Sequence, residues 1–266
     1  MNHLDLIQKN FIAKASYFGR FVSNMRVKET PYYICINCGL PSDTFNVMVI
    51  KTENVSLVSD FVQPELQYFL ERNFPMGLWL WESPSLQVIE RQLFECHLVS
   101  NETNIGMWLD AHTIQPNLTE LPDFEVVLVA SPQDLDIYAN VLASLFEPSD
   151  EAVQIRQYYQ LIKPFYQPQD SPMQFFIGKY QDQAVATGTL FFDADSVGIY
   201  DIATLETARG KGFGSQMFHF LLEFAKQRGA TSAVLQASPD GLGIYKRAGF
   251  QEVGLVKVFE NRHLLK

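Results

Sequence analysis

Residues Arg209-Gly210-Lys211-Gly212-Phe213-Gly214 constrain this chain more than any other stretch. They lie between an apolar, strand-like run, Val197 to Leu205, and an amphipathic, helix-like run, Ser215 to Arg228. Glycines at alternate positions let the backbone turn tightly and approach a bound group closely. The turn opens a helix, whose first N–H groups have no partner inside the helix. Those N–H groups, the helix dipole and the basic side chains of Arg209 and Lys211 make a site for phosphate or pyrophosphate. The pattern predicts an α/β chain that binds a phosphorylated cofactor.

Composition narrows the class of partner. The chain has 266 residues, 47% hydrophobic and 19% charged, which suits one large or two small packed domains. A net charge of −10 argues against nucleic acid or an anionic membrane as partner, and is compatible with a cationic amine substrate. No apolar run approaches the length of about 18 residues expected of a membrane span. The first ten residues do not read as a secretion signal, and three cysteines do not make a disulfide framework. A cytoplasmic protein is expected. Oligomeric state is not legible.

Leu118 to Asp123 reads as a linker, which divides the chain into residues 1–122 and 123–266. In the second half, Ser131 and Pro132 open a helix that runs to Phe146, with Ser131 as its N-cap. A second helix spans Glu151 to Tyr166. Strands are expected at Phe124–Ala130, Met173–Tyr180, Gln183–Phe192, Val197–Leu205, Thr231–Ala237 and Glu252–Glu260. A helix from Ser215 to Arg228 is closed by Gly229, and a short one spans Gly241 to Ala248. This order implies a mixed sheet with helices on both faces. The first half is less regular. Leu4 to Val27 reads as mostly helical. Strands are expected at Tyr32–Cys38, Asn46–Thr52, Gly77–Trp81 and Ile105–Asp110. Helices are expected at Val55–Asn73, interrupted at Pro64, and at Pro84–Cys96.

Two spaced motifs carry a family resemblance. The glycine loop fits Arg/Gln-x-x-Gly-x-Gly/Ala, after a strand and before a helix. About thirty residues on, Gly243-Ile244-Tyr245-Lys246-Arg247-Ala248-Gly249-Phe250 fits Tyr-x-Lys/Arg-x-Gly-Phe. In these features residues 123–260 resemble the GCN5-related N-acetyltransferase (GNAT) superfamily. The first half is similar to the front domain of two-domain members, through Phe45-Asn46-Val47, Trp79 and Trp81 with Ser83-Pro84, and Gly106-Met107-Trp108-Leu109-Asp110. The resemblance implies a GNAT fold in two tandem copies, the first degenerate, and an enzyme that moves an acetyl group from acetyl-CoA to a primary amine in a ternary complex. It implies that the pyrophosphate of coenzyme A lies over the N–H groups of Arg209 to Ser215, and that the pantetheine arm pairs with the backbone of Ile202, Ala203 and Thr204. Tyr245 matches the tyrosine that protonates the leaving sulfur. Ser238 stands where many members carry a cofactor-contacting asparagine. Arg247 either reaches the nucleotide phosphates or is a solvated helix residue.

Other roles stay open at the level of sequence. Tyr245 could instead be a helix residue packed on the sheet. Asp201 and Tyr200 are the nearest candidates for a general base, Asp193 and Asp195 read as turn residues, and a chain of waters could replace a dedicated base. The resemblance implies a small-molecule or peptide amine as acceptor, recognised by residues within Glu147–Tyr166 and by parts of the front half. Cys35-x-x-Cys38 lacks further ligands at suitable spacing, so free thiols are expected rather than a metal site. A non-catalytic acyl-CoA-binding module is the alternative function. A front half that uses Trp79 and Trp81 to contact a partner is a third reading.

Overall fold

The computed structural model describes residues 2–115, 121–169, 171–239 and 241–266. Leu118, Thr119 and Glu120 of the expected linker lie outside the described residues. The front half runs α1 (His3–Ser16), β1 (Arg26–Glu29), β2 (Tyr33–Asn37), β3 (Val47–Ile50), α2 (Val58–Leu70), β4 (Gly77–Trp81), α3 (Leu86–Glu95) and β5 (Val99–Asp110). The second half runs β6 (Phe124–Leu128), α4 (Pro132–Ala143), α5 (Asp150–Ile162), β7 (Met173–Tyr180), β8 (Gln183–Phe192), β9 (Val197–Thr204), α6 (Phe213–Gln227), β10 (Ser232–Ala237), α7 (Leu242–Arg247) and β11 (Gln251–Glu260).

Local chemistry accounts for most of these boundaries. Ser131 accepts from the Asp134 N–H while Asp134 accepts from the Ser131 N–H, a capping box that starts α4 with Pro132 in its first turn. Gln181 and Asp182 both take positive φ, at 50° and 64°, and close the β7–β8 hairpin in the mirror-image turn that strand twist favours. Gly229, at φ 83°, ends α6.

Three expectations are corrected. The first helix stops at Ser16, not near Val27, and Arg26–Glu29 is an edge strand. The Ser23-Asn24 pair favours a turn over further helix. Pro64 does not interrupt α2. The lost N–H bond is outweighed there by burial of Phe61, Val62, Leu66 and Phe69 on the sheet. The strand ending at Asp110 begins at Val99, because its polar first half, Ser100 to Asn104, is held by pairing with β11 rather than by apolar alternation.

All strands join one sheet in the order β1-β2-β3-β4-β11-β5-β10-β9-β8-β7-β6. Among the described residues only β3–β4 and β9–β10 pair in parallel; each closes the run of strands of its own half. Beyond them the halves exchange strands. β5, the last strand of the front half, pairs with β10, and β11, the last strand of the second half, pairs with β4. The two exchanged strands pair with each other along most of their length. Helices cover both faces, as expected of a mixed sheet. α1, α4 and α5 pack on one face over Ile34, Val49, Trp81, Phe175 and Val234. α6 and α7 cover the second half of the opposite face, and α2 and α3 cover its front half.

Candidate active site

The central gap in the sheet comes from a pairing that stops early. β9 and β10 are in register only at Val197–Ala233 and Gly198–Val234. From Ile199 onward β9 has lost that neighbour while still bonded to β8 on its other side. A bulge sharpens the divergence. Between Tyr200 and Ala203, which face Thr189 and Thr187, Asp201 and Ile202 oppose a single residue, and Asp201 adopts φ 54°. Thr187 Oγ1 donates to the Asp201 carbonyl at 3.0 Å and holds the bulge in place.

The gap opens into a cavity of about 460 Å³. Asp201 and Ile202 of β9, Ser238 after β10 and Tyr245 of α7 all line it. So do Phe11 and Lys14 of α1, from the opposite face of the sheet. The cavity therefore passes through the sheet, with Tyr245 on one side and Lys14 on the other. The Tyr245 ring packs edge-on to Phe218 at 5.0 Å, and burial pushes its phenol above the ordinary value. Gly241 leaves room for it: a Cβ there would stand 2.9 Å from the ring.

The glycine loop follows directly from the end of β9. Gly210 and Gly212 take φ 77° and 87°, a region costly for other residues, and Gly212 is the N-cap of α6. A Cβ at Gly210 would meet nothing within 4 Å, so this backbone is open to a ligand. The N–H groups of Phe213, Gly214 and Ser215 form the first turn of a 15-residue helix. This arrangement fits a pyrophosphate. The Phe213 side chain is buried against Phe124 and Tyr180, so only its backbone is available to a ligand. Arg209 Nε donates to the Thr204 carbonyl at 3.3 Å. Lys211 and Arg247 are exposed, the latter over Gly243. Ala203 is buried, and Thr204 packs its hydroxyl oxygen toward Gly214.

Asp201 sits 3.6 Å from Lys14 Nζ. Tyr200 lines the cavity but donates its hydroxyl to Asn10 Oδ1 at 2.7 Å. Burial pushes its phenol well above the ordinary value. Asp195 is paired with Lys9 at 2.6 Å, outside the cavity. Trp79 is a cavity wall and Trp81 is buried, both in contact with Phe11, so neither forms the external contact surface considered from sequence. Tyr158, from the segment expected to recognise the acceptor, also lines the cavity, as does Phe146 just before that segment.

Several lining residues escaped the sequence reading: Lys14, Glu102, Asn104, Val258 and Glu260. One signal was available. Glu102 and Asn104 alternate on one strand face, a pattern hidden by starting that strand at Ile105. In the front half, Gln8 Nε2 donates to the Ile50 carbonyl where β3 leaves β4, beside a cavity of about 120 Å³. The three cysteines are buried and free, and burial pushes Cys38 to about 12. Among the described residues no helix is long and apolar enough to cross a membrane, and no group of three metal-ligating side chains gathers.

Comparison with known proteins agrees with this geometry. Residues 139–250 match the sequence profile of the acetyltransferase (GNAT) family. A probable glucosamine 6-phosphate N-acetyltransferase from Oryza sativa subsp. japonica is 30% identical over 82 residues, covering 28% of this chain and 49% of that relative. The match thus spans about half the length of that curated relative. A GCN5-related N-acetyltransferase from Kribbella flavida superposes with TM-score 0.69 at 17% identity, over 95% of each chain. A tandem GNAT protein from the clavulanic acid biosynthesis pathway superposes with TM-score 0.61 at 9% identity, over 97% of this chain and 93% of that one. Residues 139–250 thus belong to the acetyltransferase (GNAT) family, and the chain as a whole has a tandem GNAT fold.

Proposed function

We propose that this protein transfers an acetyl group from acetyl-CoA to a primary amine, with both substrates bound at once. The observation that carries the reading is the cavity through the sheet. Tyr245 of α7 lines it from one face of the sheet and Phe11 and Lys14 of α1 from the other, and Asp201 lines it as well.

Acetyl-CoA would supply an acetyl thioester, whose carbonyl carbon is open to an amine and whose sulfur leaves as a thiolate. The backbone of Arg209 to Ser215 would hold its pyrophosphate, with Gly210 and Gly212 giving close approach. Ile202, Ala203 and Thr204 would offer the backbone edge freed from β10 as a strand partner for the pantetheine arm. Ser238 would contribute a short-reach hydrogen bond in the same cleft. Arg247, exposed on α7, would meet the nucleotide phosphates from outside. Tyr245 is the proposed acid for the leaving sulfur, since a phenol held protonated in neutral solution can give its proton to a thiolate as it forms. Asp201 is the proposed acceptor of the amine proton, directly or through water, with Lys14 Nζ 3.6 Å from its carboxylate.

Isothermal titration with acetyl-CoA tests the reading. Micromolar binding, lost in Gly212→Glu, is the expected result, because a carboxylate at this N-cap would occupy the anion site at a backbone angle that glutamate resists. Normal binding by that variant would show that the loop does not hold the cofactor. Binding without turnover of any amine would point instead to a non-catalytic acyl-CoA-binding module.

A further inference from the structure

We infer that the acceptor is a diamine or polyamine: a molecule with a second ammonium group a few bonds from the nitrogen that is acetylated, and with no phosphate or carboxylate. The inference rests on the acetyltransferase reading above and concerns the part of the cavity on the α1 side of the sheet.

Four carboxylates line that cavity: Asp43, Glu102, Asp201 and Glu260. Two are balanced by the protein itself. Lys14 pairs with Asp201 at 3.6 Å, and Arg262 grips both oxygens of Asp43 at 2.5 and 2.8 Å. Among the described residues no ion pair reaches Glu102 or Glu260. Their partners are neutral amides: Asn104 Nδ2 donates to Glu102 at 2.8 Å, and Asn101 Nδ2 donates to Glu260. The two unbalanced carboxylates sit on the exchanged strands. Glu102 of β5 faces Val258 of β11, and Glu260 follows two residues on. Aromatic walls flank them. Trp79 lies beside Val258 on β4, and Phe45 stacks on Tyr158 with ring centroids 3.6 Å apart.

Glu102 is exposed at the mouth of the cavity, whereas Glu260 is half-buried, and a half-buried carboxylate outside any ion pair is costly to keep ionised. Burial and the charge of Asp43 hold Glu260 above the usual carboxylate range, although Arg262, Asn101 and His263 act in the other direction. An ammonium group brought between Glu102 and Glu260 relieves that cost, and the flanking rings add attraction for a cation. A phosphate in the same place would meet two unbalanced negative charges and no free cation to offset them. The other end of the cavity has the opposite character. Lys14 balances Asp201 there, so that end holds no unpaired carboxylate to bind an ammonium group and is open to the neutral amine that attack requires. One end collects a cation while the other is open to a neutral amine, and a diamine satisfies both.

The test uses the full-length protein with acetyl-CoA and three acceptors: putrescine, n-butylamine and glucosamine 6-phosphate. Putrescine is expected to give the highest kcat/KM and glucosamine 6-phosphate the lowest. Glu102→Gln and Glu260→Gln, each close in shape to the original residue, are expected to raise the KM for putrescine roughly tenfold and to shrink its advantage over butylamine by a similar factor. Equal kcat/KM for putrescine and butylamine, or an unchanged putrescine KM in both variants, would overturn the inference. Acetyl-CoA binding is titrated in parallel, which separates the two levels of the proposal. If acetyl-CoA fails to bind, the acetyltransferase reading falls and this one with it. If it binds and glucosamine 6-phosphate is the best acceptor, only the acceptor class is wrong; if it binds and none of the three is acetylated, the acceptor class is wrong and a wider amine panel decides between another acceptor and a non-catalytic module.

Discussion

Tyr245 can serve as an acid only while it holds its proton. Burial raises its pKa from the ordinary phenol value, so it stays protonated throughout the neutral range. The expected consequence is a pH–rate profile with no loss of Tyr245 function below about pH 10. Tyr245→Phe keeps the ring against Phe218 and removes only the hydroxyl. We expect kcat to fall about 100-fold with little change in acetyl-CoA affinity, measured by steady-state kinetics beside titration. A variant with kcat intact would return Tyr245 to a packing role. Residues of this kind were legible in the sequence because their signals are local. The glycine spacing, Tyr245 and Gly249-Phe250 each lie within a few residues of the turn or helix that they specify. The floor of the cavity was not legible. Glu102 and Glu260 meet only through the pairing of β5 with β11, and nothing near either residue announces the other.

At the scale of elements, α1 is the piece that joins the halves at the site. Asn10 is fully buried and donates to Phe191 O, Ser196 O and Ser196 Oγ while accepting from Tyr200. This docks α1 on β8 and β9 and sets Lys14, one turn further along, beside Asp201. The contact depends on Gly198, where a Cβ would stand 2.1 Å from Asn10 Oδ1 and 2.3 Å from the Tyr200 ring. Gly198→Ala should cost roughly 3 kcal/mol in urea unfolding, since neither neighbour has room to yield. A loss below about 0.5 kcal/mol would show that the helix docks loosely.

The edge strand β1 offers a second test at this scale. Glu65 of α2 is buried beneath it, held by Lys28 at 2.5 Å, Arg26 at 3.3 Å and the Tyr33 hydroxyl at 2.9 Å. Burial pushes its carboxyl up, but the bonds from Lys28 and Tyr33 and the charge of Arg26 outweigh burial and leave it lowered. A lowered folded value contributes stability that is present above the unfolded value of about 4.3 and is lost as pH falls through the folded one. Glu65→Gln should therefore destabilise the protein at pH 7 and flatten its stability profile in that acidic window, measured by denaturant unfolding across pH. An unchanged acid profile would remove Glu65 from the explanation. β1 itself was illegible because it is short and half-exposed, with charged residues that pair across the fold rather than along the chain.

For the molecule as a whole, strand exchange governs cooperativity. β11 lies between β4 and β5, and β5 lies between β11 and β10. A chain cut after residue 122 would leave each fragment without the strand that finishes its sheet and with an exposed edge in its place. We expect residues 1–122 and 123–266 each to be insoluble alone and to recover a soluble complex when produced together. The intact chain should melt in one transition by calorimetry. Two well-separated transitions, or a soluble second half that binds acetyl-CoA unaided, would count against that view. The tandem architecture itself was legible in outline, from motif order in the second half and scattered likeness in the first. The exchange was not, because alternation along a strand says which face is buried but not which neighbour it has.

The front half gains meaning from that exchange. The glycine loop lies wholly in the second half, yet the front half is not a dispensable appendage. It cannot be shed in one step, because it supplies the strand that borders β10 and shelters the strand that its twin has lent out. Strand exchange thus works as a ratchet. A shorter descendant would have to recover its own last strand before it could part with its neighbour.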